Sequence, residues 1–309
     1  MKAFYITKAG KVTDTDVSRK DLTKKFNIHN RDLRPIFLSQ QVSTILIRGD
    51  SIIINLGSIK IIVGQKDAYI FNVSNKNVSE NLVPKIYKEL TSAEESSITF
   101  EFKILDLSLS NKQEKLFSES NLLEKKVNKI LQTLRDDSSE ENLEILLTTK
   151  KDLASFESDT HEIQRSILDI LEDEEDVQDI YLAKEKSSPE EIEKNIEEIE
   201  SILENYIEQI EEIIHKTSQL KEHIDSTQDI ITLKLANVRN TIIRFDLIIS
   251  IVTAVLAVPT IIVGLYGMNI ISSLEKSNSA FFIISSSLIV FLLFMFFFSW
   301  WYLRRKKII

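Results

Sequence analysis

Gly264-Leu-Tyr-Gly-Met-Asn269 closes a stretch, Leu247 to Tyr266, that carries no charged side chain. A helix rises about 1.5 Å per residue, so about twenty such residues cover the hydrocarbon core of a bilayer. Polar-leaning residues follow, Ile270-Ile-Ser-Ser-Leu-Glu-Lys-Ser-Asn-Ser279, and a second uncharged run goes from Ala280 to Leu303. Two spans joined by so short a loop form a helical hairpin. The tripeptide Gly267-Met268-Asn269 stands where the first span leaves the membrane. Arg304-Arg-Lys-Lys307 closes the second span, and Lys234, Arg239 and Arg244 precede the first, whereas the loop sets one Lys against one Glu. The positive-inside rule then puts both termini on the inner side and the loop outside. Trp300, Trp301 and Tyr302 fall where an inner-interface aromatic belt belongs.

Upstream, Ser187-Ser188-Pro189-Glu190-Glu191 is a helix start: Ser188 as cap, Pro189 in the first turn, Glu191 completing a capping box. No Pro or Gly follows until Pro259. Ile196, Ile199, Leu203, Tyr206, Ile210, Ile213, Leu220, Ile224, Ile231, Leu235, Val238 and Ile242 stand three, four or seven apart, a coiled-coil-like seam. Unbroken, Pro189 to Val258 makes a rod on the order of 100 Å that passes into the membrane as the first span.

Residues 1 to about 110 read as a small α/β domain. Short β-branched runs at 43–48, 51–55, 59–63 and 68–71 are punctuated by turns at Arg48-Gly-Asp-Ser51 and Gly64-Gln-Lys-Asp67. Val78 to Leu90 has helical spacing, and the alternation in Ile98-Thr-Phe-Glu-Phe-Lys-Ile-Leu105 predicts one more strand. No phosphate-cradling glycine loop, nucleophile elbow or His-Glu-x-x-His is present, so nothing here points to catalysis. From about 112 the chain turns helical and acidic, with helical spacing over 121–134, 140–156 and 161–171. It runs into Glu172-Asp173-Glu174-Glu175-Asp176, with Asp179 close behind. Such a run is a solvated face or a carboxylate patch for a hard cation, since Mg²⁺ and Ca²⁺ choose oxygen ligands.

The chain has 309 residues and a formal net charge of −9, which does not suggest a nucleic-acid partner. It has no cysteine, so disulfides and thiolate metal sites are excluded. The four histidines form no zinc motif, and His215 and His223 read as solvated helix residues. The amino terminus shows neither a signal-peptide core nor an Arg/Ser-rich amphipathic stretch. Insertion through the two spans, or a presequence outside this sequence, is the expectation.

Stepping back from Gly264 by fours and threes meets Thr260, Ala257, Thr253, Ser250, Asp246, Ile243 and Arg239. Within the span this stripe is small or polar, while the other faces are nearly all Ile, Leu and Val. Small residues let membrane helices pack closely. Alternatively the stripe faces water, as the ionisable Asp246 favours, being costly against lipid. One helix encloses no pore, so a water-facing stripe requires a ring of subunits. Asn269 would then set a ring of amides at the outer mouth. Mg²⁺ sheds water reluctantly, and neutral carbonyl oxygens accept hydrogen bonds from its hydration shell without stripping it. Glu275 would concentrate cations at the mouth, Asp246 would form a carboxylate ring near the inner end, Ile243 an apolar constriction and Arg239 a ring opposing cations. A divalent ion entering down the potential gains roughly 4.6 kcal/mol per 100 mV, twice the single-charge value.

Tyr266-Gly267-Met268-Asn269, ending the first of two C-terminal spans, resembles the signature of the CorA superfamily of magnesium channels. Asn30-Arg-Asp-Leu-Arg34, Leu171-Glu-Asp-Glu-Glu-Asp-Val-Gln-Asp-Ile-Tyr-Leu182, Arg239-Asn-Thr-Ile-Ile-Arg-Phe-Asp-Leu247 and Gly267-Met-Asn-Ile-Ile-Ser-Ser-Leu-Glu275 are similar to segments of its mitochondrial-type branch, in the same order. The resemblance implies a homopentamer with the first span lining the pore and a funnel-shaped inner domain. It implies a selectivity filter at Gly267, Met268, Asn269 and Glu275, a pore lined by Asp246, Ser250, Thr253, Ala257, Thr260 and Gly264, and a gate at Ile243 beside Arg239. Inner divalent sites would hold the closed state when inner Mg²⁺ is high, with Glu172, Asp173, Glu174, Glu175, Asp176 and Asp179 as candidate ligands. The sequence departs from the branch where the gate is Ile243 rather than Met, where Ala236 and Asn237 stand in place of an acid, and where Lys276 follows Glu275.

The expected fold is an α+β soluble domain followed by a long helical stalk and a two-helix C-terminal transmembrane hairpin. Its parts are an α/β domain over 1–110, an acidic helical part over 111–186, a stalk helix over 187–245, a first span over 246–269, an outer loop over 270–279, a second span over 280–303 and a basic inner tail over 304–309. Expected partners are further copies of the chain, the bilayer and Mg²⁺, both transported and regulatory. The resemblance implies a mitochondrial inner membrane, while a start at Met1 close to the first domain favours a cell membrane or a reduced organelle. A less selective or Zn²⁺-type transporter and a membrane-anchored coiled-coil scaffold stand as alternatives. No reading makes the chain an enzyme.

Overall fold

The computed structural model describes residues 1–38, 42–92, 99–137, 139–173, 177–178, 180, 189–268 and 278–305. The chain divides into two compact units, Met1–Ser226 and Thr227–Ile309.

The first unit is built on a six-stranded antiparallel sheet in the order β2-β1-β6-β5-β4-β3. The strands are β1 (Lys2–Thr7), β2 (Val12–Asp16), β3 (Thr44–Arg48), β4 (Ser51–Leu56), β5 (Ile59–Gly64) and β6 (Asp67–Phe71). The four β-branched runs read from the sequence are β3 to β6. Every residue of the interior strand β4 is buried, because the sheet is covered on both faces. Ile52, Ile54, Ile59, Ile61 and Val63 enter one core. Ile53 and Ile62, pointing the other way, enter a second core with Leu22 and Phe26 of α1 (Arg19–Phe26), Ile36 of α2 (Arg34–Phe37) and Leu33 just before α2. Two-sided burial is why these strands read as continuous apolar runs. Gly49, at φ +57°, makes the tight turn between β3 and β4. Gly64 is required differently: a Cβ there would stand 2.9 Å from the Phe26 ring of α1.

β1 and β2 are strands that sequence reading did not find. β2, Val-Thr-Asp-Thr-Asp, is a polar edge strand, and it lacks the apolar alternation that marks a half-buried strand. The predicted strand at 98–105 is corrected by the structure. A helix α4 runs from Phe100 to Asp136. Its first turns are buried around most of their circumference, at Phe100, Glu101, Phe102, Ile104, Leu105, Ser108 and Leu109. All-round burial erases the single apolar stripe by which a surface helix is recognised, and Phe100, Phe102 and Ile104 then mimic a strand.

A π-helical turn Asn77–Leu82 leads into α3 (Val83–Thr91). The segments read as three helical stretches over 121–171 belong to α4 and to one helix α5 (Glu140–Leu171). The long helix begins at Pro189 as expected and is α6 (Pro189–Tyr266); the capping serines before it lie outside the described residues. Within the first unit, Ile199, Leu203, Ile207, Ile210 and Ile213 of α6 join the same core as α4 and α5. Polar pairs fix the register of these helices. The Tyr206 hydroxyl donates to the Asp106 carboxylate at 2.7 Å, Lys216 pairs with Glu124 at 2.7 Å, Lys221 with Glu157 at 2.9 Å, and Lys150 with Asp225. Burial and the neighbouring Asp106 carboxylate both raise the pKa of Tyr206 from the ordinary 10.0.

The second unit holds the remainder of α6 and a helix α7 (Asn278–Arg305). Both are long and apolar enough to cross a bilayer, as the two predicted spans require.

Candidate functional site

The site is one face of α6. Its membrane stretch is Ile, Leu, Val and Ala broken by Ser250, Thr253, Pro259, Thr260 and Gly264. In lipid every backbone group must find its partner inside the segment, which a helix provides. Pro259, inside the helix, has no N–H to return to the carbonyl of Val255. It is buried, on the same side as the half-buried Ile248, Ile251, Val255 and Ile262.

That side is the one turned to α7. Ile248, Ile251, Val252, Val255 and Leu256 line a crevice together with Leu292, Leu293, Phe296, Ser299, Trp300 and Leu303. At 3.6 residues per turn, the stripe Asp246, Ser250, Thr253, Ala257, Thr260 and Gly264 lies on average about 150° round the helix from it, its members spread over about 110–170°. All six are exposed. The small and polar residues are therefore not used to pack the hairpin against itself. Arg239 and Ile243, further along the same side, are exposed as well.

The hydroxyls of the stripe have a defined polarity. Thr253 Oγ1 donates to the carbonyl of Ile249 and Thr260 Oγ1 to that of Leu256, each at 2.8 Å. With the proton spent on the helix, each oxygen offers only lone pairs outward. An array of acceptors suits a ligand whose surface is all donors, as the hydration shell of a cation is. At Gly264 a Cβ would meet nothing within 4 Å, so nothing among the described residues demands glycine there. The helix ends where the tripeptide begins: the N–H of Gly267 donates to the Val263 carbonyl at 2.9 Å, and Met268 is exposed. Asn269 and Glu275, the other predicted filter residues, lie outside the described residues.

Of the inner acidic residues, Glu172 and Asp173 are exposed at the end of α5, and the N–H of Glu172 bonds the carbonyl of Leu168 at 2.9 Å. A helix C-terminus carries partial negative charge, so acids placed there add to it rather than offset it. Glu174, Glu175, Asp176 and Asp179 lie outside the described residues. Among the described residues no three His, Cys, Asp or Glu side chains gather as a metal site. What sequence reading missed is the division of labour round α6. The signal was there, since Ile248, Ile251, Val255 and Ile262 repeat at threes and fours opposite the small stripe.

Residues 2–239 match the model of a family described as magnesium transporter MRS2-like. The mitochondrial inner membrane magnesium transporter MRS2 of Candida albicans is 33% identical over 277 residues, covering 86% of this chain and 59% of that protein. The corresponding protein of Schizosaccharomyces pombe is 29% identical over 280 residues, covering 88% and 66%. The chain thus spans about three-fifths to two-thirds of the length of these relatives. The CorA magnesium transporter of Methanocaldococcus jannaschii superposes with a TM-score of 0.63 over 96% of both chains at 18% identity, a likeness of fold. With the family match running from the first strand to Arg239, over more than half of its length, the chain belongs to the MRS2-like magnesium transporter family.

Proposed function

We propose that copies of this chain gather with the α6 stripes facing a common axis and conduct hydrated Mg²⁺ inward, down the membrane potential. The observation that carries this is the exposed row Asp246, Ser250, Thr253, Ala257, Thr260 and Gly264, set opposite the α7 side of the helix. An ionisable group and outward-facing hydroxyl acceptors are costly against lipid and favourable against water held on a cation. We take the assembly to be a homopentamer, the state that the CorA resemblance implies. In it Asn269 forms the outer filter with Gly267, Met268 and Glu275, and Arg239 and Ile243 form the inner gate. The relatives' names favour a mitochondrial inner membrane, and the basic residues flanking the two spans favour both termini inside.

Feedback closes the gate. Inner Mg²⁺ binds carboxylates of the 172–179 cluster, neutralises Glu172 and Asp173 at the negative end of the α5 dipole, and favours the closed arrangement.

Reconstituted protein should carry Mg²⁺ into liposomes under an inside-negative potential, and Asn269→Ala should abolish that flux. Normal flux in the variant removes Asn269 from the mechanism, and no flux in the unaltered protein returns the hairpin to an anchor. Competition by Zn²⁺, Ca²⁺ and Na⁺ separates Mg²⁺ selectivity from a broader cation pathway. Neutralising Glu172 to Asp179 together should relieve inhibition by inner Mg²⁺; unchanged inhibition would end the feedback reading.

A further inference from the structure

The crevice between α6 and α7 has a volume of about 340 Å³, at the lower end of the range for small-ligand sites. Its walls are apolar apart from the Ser299 hydroxyl and the Trp300 indole. Both helices present apolar side chains outward on either side of it, Ile249 and Phe297 among them, so in a bilayer the crevice opens among acyl chains. One end is different. Arg304 lies over the ring of Trp300, 5.9 Å from its centroid, and Arg305 over Trp301 at 5.3 Å. Arg244 stands one turn from Ile248, on the crevice side of α6 by helical spacing. Among the described residues none of these three arginines has a carboxylate within ion-pair distance. The acid nearest in sequence to Arg244, Asp246, is on the opposite face of the helix.

An apolar slot that ends in guanidinium groups with no carboxylate partner among the described residues is complementary to a molecule with a hydrocarbon tail and an anionic head. We infer that the α6–α7 crevice is a binding site for an anionic phospholipid of the leaflet on the side of the basic tail. One acyl chain lies between Val252, Val255, Leu293 and Phe296. The phosphate is held at the crevice end by Arg244 and Arg304, with Trp300 between head and tail. Guanidinium binds phosphate oxygens in a fork geometry that an ammonium lacks. The occupied crevice joins two helices that otherwise face each other across a gap, so lipid composition becomes a determinant of how firmly α7 holds α6. The inference rests on the hairpin spanning a bilayer and not on Mg²⁺ passing through it.

The two tryptophans of the chain both stand at this end, which supplies the probe. Full-length protein carrying Trp301→Phe, with Trp300 as sole fluorophore, is reconstituted in phosphatidylcholine. A small fraction of dibrominated phosphatidylglycerol or dibrominated phosphatidylcholine is then added as quencher. Per mole fraction, the anionic lipid should quench Trp300 about five-fold more effectively, or better, the preference expected from one or more basic residues. Arg244→Gln with Arg304→Gln should remove the excess, and so should Val252→Phe, which fills the slot and keeps the arginines. Equal quenching by the two lipids in the starting protein overturns the inference, as does quenching by neither, which would mean that another protein chain covers the crevice. An excess that survives Val252→Phe reduces the effect to surface charge and also overturns the site. The unaltered chain repeats the first comparison if Trp301→Phe disturbs folding, and Mg²⁺ flux, measured on the same vesicles, is scored separately.

Discussion

Ile54 and Phe102, in the unit Met1–Ser226, are 0% and 1% exposed, while Ile261 and Phe281, in the unit Thr227–Ile309, are 63% and 68% exposed. The residue types are the same and the surroundings are opposite. The first unit buries its isoleucines against its own helices on both sides of one sheet. The second buries almost none, since its two helices leave nearly every large side chain facing outward. A soluble domain gains from taking apolar surface out of water, whereas in lipid that gain is absent between helices, and small or polar groups decide which faces meet. The contrast teaches where function can be written. In the first unit a polar residue inside is a register device, as with Tyr206 and Asp106. In the second unit the polar row Asp246 to Thr260 is the informative face.

This contrast can be broken. The largest expected effect is Phe102→Ala, which should cost about 3–5 kcal/mol through the cavity left under the sheet. It would be read as faster hydrogen exchange of the β4 and β5 amides in the full chain. The matched change Ile261→Ala should alter stability by less than about 1 kcal/mol, because the side chain is mostly exposed and lipid receives either residue. Equal effects would mean that the two units are not held together differently.

Next is Tyr206→Phe, expected to lose roughly 1.5–3 kcal/mol for a hydrogen bond to a charged acceptor. The sign of its pH dependence follows from the raised pKa of Tyr206. The folded state favours the neutral phenol, so its contribution is complete below the unfolded value of 10.0 and is lost as pH rises beyond it. The stability difference between the unaltered chain and Tyr206→Phe should therefore shrink above about pH 10. A difference that grows there would contradict the buried-phenol account.

In the second unit, Thr253→Val keeps the volume and removes the acceptor oxygen. It should leave thermal unfolding unchanged and lower Mg²⁺ flux by a factor of about five, one hydrogen bond's worth. A change in stability with no change in flux would make the stripe a packing face. The smallest effect belongs to Lys126→Ala. Its pairing with Asp152 at 2.7 Å is about half exposed on both sides. Its loss should cost at most about 0.5–1 kcal/mol, less at high salt, measured by thermal unfolding across a salt series.

Legibility along the chain follows burial. β3 to β6 were readable because two-sided burial leaves runs of isoleucine, and β2 was not, because an edge strand of Thr and Asp has no apolar signature. The stalk seam from Ile199 to Ile213 was readable as a period and is buried as one. Further along, Leu235, Val238 and Ile242 continue the period yet stand exposed, so the spacing alone did not tell a buried seam from an unpartnered one. The start of α4 was misread for the converse reason, a helix buried on too many sides to show a stripe.

The amino-acid order by itself determined the two spans, their hairpin, the helix start at Pro189 and the alignment of Asp246, Ser250, Thr253, Ala257, Thr260 and Gly264 on one face. These depend on composition within a window and on the 3.6-residue repeat, both of which are local. Only the tertiary structure decided that this face is turned away from α7, that Phe100 begins a helix, that β1 and β2 complete the sheet, and that Ile248 of α6 shares a crevice with Trp300 and Leu303 of α7. Each of those depends on which distant segment comes to lie alongside, and a local repeat carries no record of its partner.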